Sequence, residues 1–302
     1  MKIFNPSELK KLYKPKQDSS NEDNGSVTII GGSKLFHGAP VLSLKAASRI
    51  VDMVFFASPE PSVGRVAEQI KSRLMSFIWI PWNEVEEYIK KSDAVLIGPG
   101  LMRFTSESQN PNDKTQMAND EEGKRTREVT ERFLKKFPNH KWVIDGGSLQ
   151  TMDPEWIPEG AVLTPNRKEF GLLFGGKSDR KFGITEDTEK STEGTEKFVQ
   201  TMAKKYQCTI VLKGPETVVC NPGECVLVKG GNAGMTKGGT GDVLAGLTVA
   251  LLAKNEPFLA AASASYIAKA AADELYKKVG VNYNADDLAD KIPEVLSRLT
   301  NT

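Results

Sequence analysis

The chain has 302 residues, 39% of them hydrophobic, and sets 40 basic against 39 acidic side chains. That length supports one large α/β domain or two small ones with a sizeable core, and the balanced charge excludes the broad positive field that nucleic acid or an anionic membrane surface would require. The opening MKIFNPSELKKLYKPKQ lacks the basic-then-apolar pattern of a secretory signal and no segment approaches the roughly 20 apolar residues of a membrane span, so a cytoplasmic protein with no membrane or nucleic-acid partner is expected.

Short apolar, β-rich runs alternate with amphipathic stretches of helical length, the pattern of a sheet built from parallel crossover units. SVTIIGG (26–32) reads as a strand ending in a glycine turn, followed by a helix through APVLSLKAASRIV. MVFFAS (53–58) and FIWI (77–80) read as short strands, and AVLIGPG (94–100) and KWVIDGG (141–147) as strands that again end in glycines. AVLTPN (161–166) closes on a polar tip, TIVLKG (209–214) adds a strand, and TVVC (217–220) with CVLVKGG (225–231) forms a hairpin. Two alanine-rich helical stretches, 242–254 and 257–278, and a last helix at 285–299 complete the chain.

Residues 1–24 read as a loose N-terminal arm and 25–302 as a single domain, interrupted by polar surface insertions near 105–128 and 176–196. The three cysteines are too few for a disulfide framework, and no Cys/His cluster has zinc spacing. Cys220 and Cys225 flank the turn Asn-Pro-Gly-Glu and could face each other across it, but the expectation is a pair of reduced strand-end cysteines. Trp79 and Trp82, beside a proline, read as packing residues, and His140 as a surface residue.

In an open α/β sheet a ligand sits beyond the carboxyl ends of the strands. Here those ends are Gly31-Gly32-Ser33, Gly98-Pro99-Gly100, Asp145-Gly146-Gly147, Thr164-Pro165-Asn166, Lys213-Gly214 and the stretch GNAGMTKGGTGDVLAG, with six glycines in positions 231–246. In that last stretch Thr240-Gly241-Asp242 stands where a helix begins, so free N–H groups and the positive end of the helix dipole make an anion hole. Asp242 there is either an N-cap or a general base that takes a proton from a substrate hydroxyl. No Walker phosphate loop occurs.

The motifs GGSKLFHGAP, AVLIGPGL, WVIDGGSL, VLTPNRKEF, TIVLKGPETVV and GNAGMTKGGTGDVLAG, over about residues 25–280, resemble in order and spacing the ADP/ATP-dependent NAD(P)H-hydrate dehydratases of the ribokinase-like superfamily. The resemblance implies a ribokinase-like, doubly wound, mostly parallel sheet flanked by helices, with an antiparallel hairpin. It also implies a repair enzyme. Members use ADP or ATP with Mg²⁺ to phosphorylate the ring hydroxyl of the S epimer of NADH or NADPH hydrate, and phosphate elimination then restores the double bond.

By the same resemblance Ala39, Gly100 and Asp242 match hydrate-binding positions, with Asp242 also the base. Lys213, Gly214, Pro215, Glu216 and Thr217 match the adenine-nucleotide segment and Gly241 a phosphate contact, while Gly238 and Gly239 would let backbone amides approach the transferring group. Asn166 stands where the family usually has a histidine that contacts the hydrate. With Glu169 it forms Asn-Arg-Lys-Glu, which resembles an element that organises magnesium through water in vitamin kinases and equally reads as a helix cap. Asp145, in DGG where DAD is usual, reads as a structural or metal-water contact. The resemblance further implies self-association and, because the segment before the domain is short, an epimerase on a separate chain. The alternative is a ribokinase-like kinase of a vitamin precursor or sugar.

Overall fold

The computed structural model describes residues 1–104, 114–175 and 192–301. Ten strands form one sheet: β1 (Lys2–Ile3), β2 (Ser26–Ile30), β3 (Met53–Ala57), β4 (Ile78–Trp79), β5 (Ala94–Ile97), β6 (Lys141–Ile144), β7 (Val162–Leu163), β8 (Thr209–Leu212), β9 (Thr217–Cys220) and β10 (Cys225–Val228). Their order across the sheet is β1-β10-β9-β8-β7-β6-β5-β2-β3-β4, and only β9 runs antiparallel to its neighbours. The helices are α1 (Gly38–Ala47), α2 (Pro61–Ile70), α3 (Val85–Lys91), α4 (Lys114–Lys136), α5 (Gly146–Thr151), α6 (Arg167–Phe174), α7 (Thr192–Lys205), α8 (Thr240–Lys254), α9 (Pro257–Val279) and α10 (Ala285–Asn301).

Alternating side chains send each strand's apolar residues to opposite faces. Val27, Leu96, Val143 and Val211 join one core with α1, α2, α8, α9 and α10. Ile30, Ile97, Ile144 and Ile210 join the other, with α3 to α7. The expected packing of the tryptophans is observed, Trp79 against Phe56 and Trp82 against Phe133, with ring centroids 5.1 and 5.7 Å apart.

Three expectations are corrected. The N-terminal arm is not loose along its length: β1 pairs with β10, and Leu9 and Leu12 are buried because their short helical turn supplies apolar cover for α9 and α10. The polar stretch near 105–128 is helical from Lys114, and the one near 176–196 is helical from Thr192; 105–113 and 176–191 lie outside the described residues. Cys220 and Cys225 form a disulfide, since the β9–β10 register sets them directly opposite with Cα atoms 4.2 Å apart. Cys208 is free, and burial pushes its thiol up to about 12.

Helix α8 decides where the site lies. Every residue from Val243 to Ala253 is buried, as an all-round apolar helix requires. It packs so tightly on α1 that a Cβ on Gly246 would sit 2.1 Å from the Ser43 carbonyl oxygen. Gly246→Ala should therefore lower stability by about 1–3 kcal/mol through overpacking, outweighing alanine's better helix propensity; chemical denaturation of the two proteins measures it.

Candidate active site

The chain leaves β2 toward β3 and leaves β5 toward β6, so the winding direction reverses between these neighbours and a crevice opens beyond their carboxyl ends. The Gly32 N–H donates to the Pro99 carbonyl at 2.8 Å, joining the two glycine turns at the crevice floor. Above it Ala39, on the first turn of α1, meets Gly100 so closely that a Cβ on Gly100 would lie 3.1 Å from that of Ala39. These two predicted substrate positions come together.

A second cleft, of about 610 Å³, opens alongside. One wall is Lys213–Pro215 with Thr217, a second is Gly231–Thr236, and a third is the start of α8 at Thr240 and Gly241, with Asn166 and Lys269 also lining it. Five of the eight predicted nucleotide positions, Lys213, Gly214, Pro215, Thr217 and Gly241, thus share one cleft. Glu216 instead faces outward, exposed, 3.8 Å from Lys229. Gly239 is the left-handed residue before α8, with φ of 94°, and packs on Leu42 and Ala285; Gly238 has open space around its α-carbon. Thr240 Oγ1 donates to the carbonyls of Met235 and Lys237, tying the glycine-rich loop to the helix it precedes. In the first turn of α8 the Thr240 N–H donates to the Lys237 carbonyl and that of Val243 to the Gly239 carbonyl, which leaves those of Gly241 and Asp242 without helical partners.

Lys213 joins these elements electrostatically. Its ammonium lies 3.0 Å from Asp145 Oδ1 and 3.7 Å from Glu169 Oε2, and Asp145 Oδ1 also accepts from the Thr164 hydroxyl at 2.8 Å. Burial alone would lower the Lys213 pKa, but Asp145, Glu169 and more distantly Asp242 outweigh it and hold the ammonium charged. Asp242 feels the opposite balance: burial first, then Asp145 and Glu169, raise its carboxyl to about 7 against the pull of Lys213. A carboxyl so placed exchanges its proton near neutral pH, which suits a general base. Glu169 is also raised by burial and by Asp145, despite Lys213.

Asn166 is the N-cap of α6: its side chain accepts from Glu169 N at 2.9 Å while Glu169 Oε2 accepts from Asn166 N at 2.8 Å, which is the cap reading of this pair, and Asn166 also lines the cleft. Among the described residues no group of three or more His, Cys, Asp or Glu is placed to cage a metal. Asp145 and Glu169 beside the cleft suit instead a magnesium ion that arrives on nucleotide phosphates and keeps most of its waters. His37 lies 3.5 Å from Ser62 Oγ, and His140 packs edge-on to Phe137.

Sequence reading missed Lys269, Asp273 and Asn232. The one available signal was a lysine and an aspartate four residues apart inside an alanine-rich helix, IAKAAAD.

The sequence profile of the NAD(P)H-hydrate dehydratase family matches residues 27–294, and the chain belongs to that family. It is 31% identical over 209 residues to a bifunctional NAD(P)H-hydrate repair enzyme of Hyperthermus butylicus, covering 64% of this chain and 33% of that one. To the enzyme of the same name in Archaeoglobus fulgidus it is 32% identical, over 98% of this chain and 56% of that one. The chain thus spans between a third and about half the length of these curated relatives. Its fold matches that of the Bacillus subtilis ADP/ATP-dependent NAD(P)H-hydrate dehydratase co-crystallised with ATP and Mg²⁺, with a TM-score of 0.71 and 21% identity over 99% of this chain and 98% of that one. No helix among the described residues is long and apolar enough to cross a membrane.

Removing one partner from a buried ion pair strands the other charge, so Lys213→Met should cost about 3–5 kcal/mol of folding stability at neutral pH. Adding Asp145→Asn to it should recover part of that loss, as a double-mutant cycle by denaturant titration would show.

Proposed function

We propose that this chain restores NADH or NADPH from the S epimer of its hydrate, in a reaction driven by an adenine nucleotide. The observation that carries the reading is the position of Asp242, raised to about 7, at the start of α8, next to cleft-lining Gly241 and tied through its carbonyl to Ser43 on the helix that bears Ala39. Family membership, and the co-crystallisation of the structurally similar Bacillus subtilis dehydratase with ATP and Mg²⁺, support the pairing of a hydrate site with a nucleotide site.

In this reading the hydrate's ring lies against Ala39 and Gly100, and the nucleotide's phosphates point at Gly241 from the Lys213–Thr217 side. Asp242 takes the proton of the ring hydroxyl as its oxygen bonds to the terminal phosphorus and the bond to the leaving nucleotide breaks. Lys213 and the free N–H groups of α8 offset the charge on the moving phosphoryl group. Phosphate then leaves the ring with its bonding electron pair, and loss of a proton from the adjacent carbon re-forms the double bond. Asn166 lines the larger cleft, on the nucleotide side of this arrangement. Glu169 and Asp145 would meet the nucleotide's magnesium through water, and that ion would add positive charge at the phosphates.

The same machinery without elimination is a kinase for a vitamin precursor or sugar, a reading favoured by the Asn166–Glu169 pair. One assay separates them: recovery of reduced-nicotinamide absorbance from the S hydrates of NADH and NADPH, with ADP or ATP and Mg²⁺. The wild type should recover it, with kcat/KM rising as pH passes about 7, because Asp242 must be a carboxylate to accept the proton. Asp242→Asn should lose about 100- to 10,000-fold in rate while still binding nucleotide. A stable phosphorylated product with no recovered absorbance would favour the kinase.

A further inference from the structure

Lys269 is a lysine of the α9 interior with only 5% of its surface exposed, and it touches no carboxylate within hydrogen-bond distance. Its ammonium donates to three backbone carbonyls, those of Pro215 at 2.7 Å, Gly230 at 2.9 Å and Gly214 at 3.3 Å. An ammonium has three N–H donors, so none is left for a ligand. A buried cation is costly, and burial does lower this one's pKa, so its place needs a reason.

One turn further along α9, Asp273 accepts from the Gly231 N–H at 2.9 Å and from Asn232 Nδ2 at 3.1 Å. The two charged residues therefore grip the two segments that form facing walls of the cleft: Gly214–Pro215 on one side and Gly230–Asn232 on the other. These walls are joined in the chain only through the β9–β10 hairpin, which turns at the far ends of its strands. The ladder's last pair at this end, Thr217 with Val228, stops two residues short of Pro215 and Gly230, and beyond it the walls are held by the α9 contacts.

We propose that Lys269 and Asp273 form a clasp on α9 that fixes the width of the larger cleft and so preorganises it for the adenine nucleotide. The clasp rests on the reading of that cleft as a nucleotide site. Both are positioning residues: they act through the backbone of the walls and not by contact with the phosphates.

Calorimetric titration of wild type, Lys269→Met, Asp273→Asn and the double variant with Mg–ADP and Mg–ATP tests it, beside their melting temperatures and, where turnover is measurable, nucleotide KM and kcat. Each single variant should bind nucleotide about tenfold more weakly, as loss of preorganisation predicts. The double should be no weaker than the worse single, because both residues serve one device. The loss should fall on nucleotide KM more than on kcat. Nucleotide affinity unchanged within twofold in both singles, with only the melting temperature lowered, would make the pair merely structural and overturn the clasp. Should Lys269→Met fail to fold, Asp273→Asn decides alone. If the folded wild type binds neither nucleotide, the nucleotide reading of the cleft fails, and the clasp fails with it.

Discussion

The ammonium of Lys213, held by carboxylates, organises the candidate active site. Its partners come from separate parts of the chain: Asp145 from the end of β6, Glu169 from the first turn of α6, and Asp242 from the first turn of α8. Only a parallel sheet with its carboxyl ends on one edge brings them to one place. Burial, and after it the excess of carboxylates over cations in the cluster, raises the Asp242 pKa to about 7. The Lys213–Asp145 pair thus ties a cleft-lining strand end to β6, and its two members pull the Asp242 carboxyl in opposite directions.

Helix α8 supplies the second constraint. Being apolar on every side, it has to be sandwiched between the sheet and α1, α9 and α10, and that burial fixes the direction of its axis. Its N-terminus then emerges at the larger cleft, which Thr240 and Gly241 line. The Gly246 contact with Ser43 and the Ser43 hydroxyl bond to the Asp242 carbonyl, 2.8 Å long, hold α1 against it, so Ala39 and Asp242 are set by the same packing. The geometry of the candidate site is here a by-product of core geometry.

Much of this was legible in the chain. Strand runs with alternating faces, glycines at strand ends and the glycine-rich entry to α8 all express local preferences of the backbone, and they lead to the observed doubly wound sheet. The errors lie where a segment's fate depends on a distant one. The N-terminal arm carries too few apolar residues to fold alone, and it is ordered by the free edge of β10 and by the helices beneath it. Cys220 and Cys225 differ from two reduced thiols only by a register that the hairpin decides. The polar run from Lys114 is helical although its composition reads as loop, because the far half of α4 packs Phe133 and Leu134 into the core and the helix extends back from there.

The sequence by itself determined the order of the elements, the edge of the sheet on which the unusual residues gather, and the places of Lys213 at a strand end and Asp242 at a helix start. These follow from periodicity, turn residues and helix starts, which act over a few neighbouring positions. Tertiary structure decided which of those residues share a cleft, so that Thr217 lines it and Glu216 does not. It also decided the raised proton affinity of Asp242 and the grip of Lys269 and Asp273 on two walls. Burial and the approach of charges distant in the chain set these properties, and neither exists until the sheet and its helices have closed on one another.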